Sequence, residues 1–299
     1  MTIATAFSPC SITGFFRIHD RSPDPLRVGS TGATVTLNKG VTTRVAIREE
    51  HKTRVTATFN RVPLPTTSVT HHVARQFILK DGRLLHVKIS HDCELPVGCG
   101  YGTSGAGALS LSYAMNEAMG LRMSHLEAAQ IAHASEVACR TGLGTVASAF
   151  TGGLTIRNIP GAPGKGRVLK VVPPPSLRLM TASFGPIWTR NLLQKSRFKN
   201  RVNRCSDELL AKMEREKSLM NFLSLSRKFA NCLGLMSRRL AQSSMSLESV
   251  GLTSSMAMIG ESLFSIVQRE SVPIAMKALK TQRLHAVVCR IPSMGARTL

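Results

Sequence analysis

Hydrophobic and polar positions divide this chain into runs with two different periods. Ala33 to Ile47 and Arg54 to Phe59 alternate β-branched and polar residues, the two-residue period of a strand. Leu84 to Ser90 repeats that pattern, and Phe150 to Asn158 reads as a further strand. Thr103 to Met119 is different: Ala, Leu, Met and Ser without proline, entered from a glycine cluster, predict a helix. Ser124-His-Leu-Glu127 has the capping-box spacing and predicts a second helix running to about Cys139. Gly161-Ala-Pro-Gly-Lys-Gly166 and Pro173-Pro174-Pro175 then punctuate the chain as a domain edge. Beyond them, Ser176 to Phe184 reads as a strand. Helices are expected near 206–217, 219–233 and 254–268, then Pro273 to Lys280, with a last strand at His285 to Ile291. Strands and helices mix in each half. The expected architecture is α+β in two domains, 1–172 and 173–299.

Composition narrows the function classes. Thirty-nine Lys and Arg against 17 Asp and Glu give the 299-residue chain a formal charge of +22, and only five residues are Asp. At 43% hydrophobic content there is apolar material for real cores, which excludes wholesale disorder. No apolar run reaches the ~20 residues of a membrane helix. Met1 to Arg17 lacks a basic segment followed by an apolar one, so a secretory signal is not expected and a cytoplasmic location is. The seven cysteines (10, 93, 99, 139, 205, 232, 289) contain no CxxC pair, which excludes a zinc ribbon and predicts reduced thiols. The charge leaves two classes open: a nucleic-acid binder, or an enzyme that handles anionic substrates. Arg190 to Arg239 holds 13 Lys and Arg against four acids. It reads as a solvated helical face, with a nucleic-acid surface as the competing reading. Its few aromatic residues do not suggest a base-stacking platform.

The most informative stretch runs from Pro96 through Gly98, Gly100, Tyr101, Gly102, Thr103, Ser104, Gly105 and Ala106. Glycines crowded ahead of a helix let backbone N–H groups gather round an anion, and the helix N-terminus adds partial positive charge. Several phosphate motifs half-fit. Gly100 to Gly105 satisfies GxGxxG, yet about nine residues separate it from the preceding strand. A Walker loop would need Lys at Gly102, and a nucleophile elbow would need Gly at Ala106.

The loop resembles, without exceptions, the ATP-binding motif of the GHMP kinase superfamily, Pro-x-x-x-Gly-x-Gly-Ser/Thr-Ser-Gly/Ala-Ala. Phe7-Ser-Pro-Cys-Ser-Ile-Thr-Gly-Phe-Phe-Arg-Ile18 and Asp24-Pro-Leu-Arg-Val-Gly-Ser-Thr-Gly-Ala33 resemble segments of the archaeal pantoate kinases. So do Gly40-Val-Thr-Thr43, Ala132-His-Ala-Ser-Glu136, Thr141-Gly-Leu-Gly144, Gly152-Gly153, Ser255-Met-Ala-Met-Ile-Gly260 and Gly295-Ala-Arg297, in order along nearly the whole chain. The resemblance implies ATP-dependent phosphorylation of pantoate in coenzyme A synthesis. It also implies an N-terminal ribosomal S5 domain 2-like α/β domain, a ferredoxin-like C-terminal domain and an active site between them. ATP and Mg²⁺ would be the cofactors, and the resemblance hints at a homodimer.

By the same resemblance, Gly98 to Gly105 would cradle the triphosphate, with Ser104 and Glu136 as the Mg²⁺ ligands. Arg157 would clamp the pantoate carboxylate, since its planar fork pairs bidentately. His133, three residues before Glu136 on one helix face, and Ser30, in the Gly29-Ser-Thr-Gly32 turn, would donate hydrogen bonds to substrate oxygens. One position departs from the pattern. Where the family has Gly-Leu-Gly-Asp, this chain has Thr145, so the carboxylate that orients or deprotonates the attacking hydroxyl is replaced. Two readings follow: transfer by positioning alone, or a drifted substrate, such as another small alcohol.

Overall fold

The computed structural model describes residues 1–186, 196–280 and 285–299. Its frame is a long hairpin of β1 (Thr2–His19) and β2 (Gly29–Glu49), paired from Thr2↔Ile47 to His19↔Gly29. The register skips between Pro9 and Ser11, where Pro9 faces Gly40 but Ser11 faces Thr36. Such an irregularity bends a strand and redirects its side chains. On one side of the bend, β2 continues the first sheet through β5 (Leu85–Cys93), β3 (Arg54–Phe59) and β4 (Val62–Pro63). On the other side it pairs with β6 (Leu154–Ile159), which pairs with β7 (Arg167–Val171). β12 (Arg297–Thr298) returns from the end of the chain to close the edge beside β1. Among the described strands of this sheet, β3 and β5 form the parallel pair.

Four helices accompany this sheet: α1 (Val69–Asp81), α2 (Thr103–Met119), α3 (His125–Cys139) and α4 (Thr145–Thr151). Ala4, Ala6, Val45, Val87, Leu109, Met115 and Ala128 fill one core beneath them. The capping box at Ser124 and Glu127 forms as its spacing predicts, with both bonds present.

A second, antiparallel sheet has the order β11 (His285–Cys289), β8 (Leu177–Gly185), β10 (Glu261–Gln268), β9 (Ser255–Met256). α5 (Ser196–Cys205) and α6 (Leu209–Arg215) pack on the first sheet, α7 (Leu219–Leu233) packs between the two sheets, α8 (Arg238–Glu248) packs on β10, and α9 (Val272–Leu279) precedes β11. One continuous core joins Ile12, Phe15 and Val35 of the hairpin to Leu179, Met180 and Phe264 of the second sheet. Phe222 of α7 is its pivot. It is fully buried, lies 5.7 Å from the Phe264 ring, and covers Gly14, where an added Cβ would stand 2.5 Å from its ring.

Three expectations need correcting. The helix expected at 254–268 is two strands, β9 and β10, broken by a turn in which Ile259 has φ of 63°. β10 sits between β8 and β9 with both faces buried, so it lacks the alternation that marks a half-exposed strand. The strand expected from Phe150 begins only at Leu154, after α4 ends at Thr151 and the chain turns through Gly152 and Gly153. The thiols are not all reduced: Cys205 of α5 and Cys232 of α7 form a disulfide. Pairing across 27 residues depends on two helix faces meeting, which spacing along the chain does not reveal. Part of the basic helical stretch, 190–195, lies outside the described residues. Within the rest, Lys199 pairs with Asp20, Arg17 with Asp207, and Lys212 with Glu208 at 2.7 Å. No helix among the described residues is long and apolar enough to cross a membrane.

Phe222→Ala is expected to destabilise the chain by about 3–5 kcal/mol, because a buried ring joining two sheets leaves a cavity that neither can fill. Urea unfolding of both proteins measures this.

Candidate active site

The phosphate-type loop has no helix or strand of its own until α2 begins. Three glycines carry its path: Gly98, Gly100 and Gly102 have φ of 78°, 85° and 62°. Left-handed residues alternating with ordinary ones turn successive N–H groups to one side, the concave nest that binds anions. Neighbours seat the loop from three directions. From β1, the Ser11 N–H donates to the Tyr101 carbonyl at 2.9 Å. From the second sheet, Ser262 Oγ donates to the Cys99 carbonyl at 2.7 Å, and Gly260 comes so close that an added Cβ would stand 2.0 Å from the Cys99 carbonyl carbon. From α4, Thr145 covers the inner side, its Cγ2 being 2.7 Å from where a Cβ on Gly102 would stand.

The predicted loop residues divide by role. The Tyr101 ring turns away into the core, its hydroxyl 3.0 Å from Thr181 Oγ1, so only its backbone belongs to the loop surface. Pro96 leads in, Gly98 meets Pro186, Thr103 opens α2, and buried Ala106 donates its N–H to the Gly102 carbonyl at 3.0 Å. Ser104 and Gly105 face the acidic centre.

That centre is Glu136, only 2% exposed although it is a carboxylate. Ser104 Oγ and Thr141 Oγ1 both donate to its Oε1 at 2.6 Å. Its Oε2 turns toward Gly105 and Gly142, where added Cβ atoms would stand 3.0 and 2.1 Å away. Burial pushes its carboxyl above the ordinary value of 4.5, and the two hydroxyls pull it back. A carboxylate flanked by hydroxyls is an all-oxygen donor set, which suits a hard divalent cation. Nothing in the sequence singles out Thr141 for this contact, although it opens the family-like Thr141-Gly-Leu-Gly144 segment.

Arg157 projects from β6 beneath this centre and is 2% exposed. Its Nε donates to the Ser30 carbonyl at 3.2 Å, and its Nη1 to Thr34 Oγ1 at 2.6 Å and Ser148 Oγ at 2.7 Å. Its Nη2 lies 3.5 Å from Ser30 Oγ. No carboxylate among the described residues pairs with it, and burial lowers its pKa to about 10. Over the guanidinium lies Gly144, where an added Cβ would stand 2.7 Å from Nε and 2.4 Å from Ser30 Oγ. Arg157, Ser30, Thr145, Glu136 and Ser104 are therefore gathered around the 142–145 turn. His133 is not part of that gathering. Its buried ring meets the Val28 carbonyl at 2.9 Å and serves the turn that leads into β2, and burial holds its pKa down. Thr34 and Ser148, each in contact with the site, carry no sequence signal beyond that of ordinary polar residues on a strand and a helix, while Ser11 lies within the family-like Phe7–Ile18 segment.

Residues 68–153 match the family model of the GHMP kinases N terminal domain. Together with the glycine nest and the buried carboxylate beside it, this defines the chain as a GHMP-type kinase. More closely, the chain belongs to the pantoate kinase family. It is 32% identical to the pantoate kinase of Thermococcus kodakarensis, covering 96% of this chain and 95% of that one. It is 31% identical to that of Methanocaldococcus jannaschii, covering 95% and 99%. A solved structure described as a phosphotransferase related to the CoA biosynthesis pathway superposes with a TM-score of 0.89 at 28% identity, over 99% of this chain and 98% of that chain. Mevalonate diphosphate decarboxylase from Staphylococcus aureus shares the fold at a TM-score of 0.74 and 12% identity, over 100% and 98% of the two chains.

Because the folded chain holds the Glu136 proton above its ordinary value, stability falls as pH rises from 4.5 through the raised value and stays lowered above it. Glu136→Gln keeps an oxygen acceptor for both hydroxyls and removes the charge. Without divalent cation it is expected to melt above the wild type, with a gap that widens from pH 4.5 toward neutrality and then levels. Thermal melts across that range check it; a gap that shrinks contradicts it.

Proposed function

We propose that this chain transfers the γ-phosphoryl group of ATP to a hydroxyl of pantoate, giving 4-phosphopantoate and ADP. The observation that carries this reading is the buried Arg157 guanidinium, which no carboxylate of the described residues neutralises. A buried cation without a counter-charge costs stability, and the carboxylate of a bound substrate is the partner that restores the balance. Pantoate carries one carboxylate and two hydroxyls, which fits a single guanidinium flanked by the Ser30 hydroxyl.

The rest of the site fits the nucleotide. The Gly98–Gly102 nest suits a chain of phosphates, since a side chain at any of its glycines would fill the cradle or strain the backbone. Glu136, Ser104 and Thr141 offer oxygen to Mg²⁺, which supplies charge neutralisation on the transferring group when bound. Glu136 is already buried and held by two hydroxyls, so its carboxylate needs no reordering to meet the cation. Arg157 orients the acceptor from below. Thr145 sits at the start of α4 against the phosphate loop, and its hydroxyl is the polar group this chain offers where the family pattern has Asp. A neutral hydroxyl holds the attacking oxygen in place without taking its proton. A loose phosphoryl transition state tolerates this, because positioning and charge neutralisation carry most of the acceleration.

The direct test is pantoate-dependent release of ADP. Phosphorylation of another small alcohol, with pantoate inert, would overturn the assignment. Arg157→Lys is expected to raise KM for pantoate by roughly 10- to 100-fold, the worth of a charge-assisted hydrogen bond, with KM for ATP unchanged. Thr145→Asp restores a carboxylate beside the acceptor and is expected to raise kcat by roughly 10-fold or more. An unchanged kcat would mean that another group already takes the proton.

A further inference from the structure

Two cysteines stand beside the supports of the phosphate loop. Cys93 is the last residue of β5, three positions ahead of Pro96. Cys10 stands at the bend of β1, directly before the Ser11 whose N–H holds the Tyr101 carbonyl. β2 lies between the two strands, yet the bend turns Cys10 so that its Sγ stands 3.9 Å from Cys93 Sγ. This pair is separate from the Cys205–Cys232 disulfide.

The two sulfurs are not equivalent. Cys10 is fully buried, and Cys93 is half-buried. The contact with Cys10 is the main influence that lowers the Cys93 thiol, with help from the Leu95 backbone, while the same contact and burial push the Cys10 thiol up. Cys93 is thus the thiol held lower and the one partly open to solvent, so it is the sulfur that a hydroperoxide reaches first. The Lys39–Glu94 ion pair, 2.7 Å long, stands beside this cluster. Cys289 is near but buried, and burial raises its pKa to about 12, so it stays a thiol.

We propose that Cys93 and Cys10 form an oxidisable dithiol whose cross-linking by a hydroperoxide reshapes the phosphate loop. In the first step the Cys93 thiolate attacks the peroxide: an S–O bond forms, the O–O bond breaks, and the departing alkoxide or hydroxide takes a proton from water. The Cys93 sulfur is oxidised to a sulfenic acid and the peroxide is reduced. In the second step the Cys10 sulfur attacks the sulfenic sulfur. The S–S bond forms, the S–O bond breaks, and the hydroxide leaves as water with the Cys10 proton. Two thiols and one hydroperoxide thus give one disulfide, one alcohol or water, and one water.

The cross-link draws the sulfurs from 3.9 Å to bonding distance, about 2 Å. Cys93 cannot follow easily, because both its N–H and its carbonyl are bonded to the Asn60 side chain, at 2.9 and 3.0 Å. The displacement falls on Cys10 and on the adjoining Ser11, whose amide seats the loop and whose Oγ would stand 3.1 Å from a Cβ on Gly102. The glycine nest loses its support from β1. The consequence for ATP rests on the proposed phosphate role of the loop; the cross-link does not.

The test treats the wild-type chain with hydrogen peroxide and maps unreduced peptides by mass spectrometry. A peptide pair joined through Cys10 and Cys93, two hydrogens lighter than its parts, is expected, together with a several-fold rise in KM for ATP that dithiothreitol reverses. Cys93→Ser should match the wild type before peroxide and resist it afterwards. Cys10→Ser, which keeps a hydroxyl donor beside Cys93, should stop at a sulfenic acid on Cys93 that dimedone traps. Oxidation at Cys139 or elsewhere with Cys10 and Cys93 unlinked would overturn the proposal, whatever the variants do. A cross-link that leaves KM for ATP unchanged would overturn its effect on the loop.

Discussion

The site depends on one close approach: the glycine-rich loop pressed against a turn of the second sheet. At Gly260 the two backbones come so near that no side chain fits between them, and Ser262 adds a hydrogen bond across the same contact. A loop whose glycines adopt left-handed conformations has many alternatives when free, so something outside it must select this one. Ser11 on β1, the Tyr101 ring anchored on Thr181, and Thr145 on α4 complete that selection. The nest is thus a product of both sheets, although every residue that forms it comes from the first half of the chain. The buried Phe222, wedged between Gly14 and Phe264, keeps those sheets at the required separation.

Two buried charges sit in that frame, and neither has a counter-charge of its own among the described residues. Glu136 is held by two hydroxyls, and Arg157 by hydroxyls and one carbonyl. Each lowers the stability of the fold, since hydroxyl dipoles only partly replace lost water. The proposed reading gives each its opposite charge, a cation for the carboxylate and an anion for the guanidinium. Holding both in place beforehand lowers stability but leaves charges that need no rearrangement when the reaction occurs. The overall +22 is a different matter. Lys199, Arg17 and Lys212 engage surface acids, and the site itself depends on a single buried cation.

Much of the site is legible in the order of residues. Gly98 to Gly105 announce a loop of left-handed turns because few other residues tolerate that backbone, and Thr103 to Met119 announce the helix behind it. The capping box at Ser124 and Glu127 fixes the start of the helix that carries Glu136. The misreadings have physical causes too. The 254–268 segment reads as helix because a strand buried on both faces has no alternation to display. The His133 position lies outside any such misreading: it shares a helix face with Glu136, and its Nε2 meets the Val28 carbonyl. Spacing on a helix shows which side chains project together, and not which of them another part of the chain will claim.

Residue order alone settles the groups available: a glycine-rich loop ahead of a helix, an acid and a cation at set positions, and a threonine where a carboxylate is the family pattern. These follow from local rules, because glycine geometry, helix capping and residue type act within a few positions of one another. Folding in three dimensions selects which of those groups meet. It brings Thr141 onto Glu136, places Arg157 beneath Gly144 and Ser30, turns the Tyr101 ring away from the loop, joins Cys205 to Cys232 and sets Cys10 beside Cys93. Such contacts span from five to more than a hundred residues, and they depend on how two sheets and the helices between them exclude water together. No stretch of sequence carries that information alone, because each contact is settled by the packing of several elements at once.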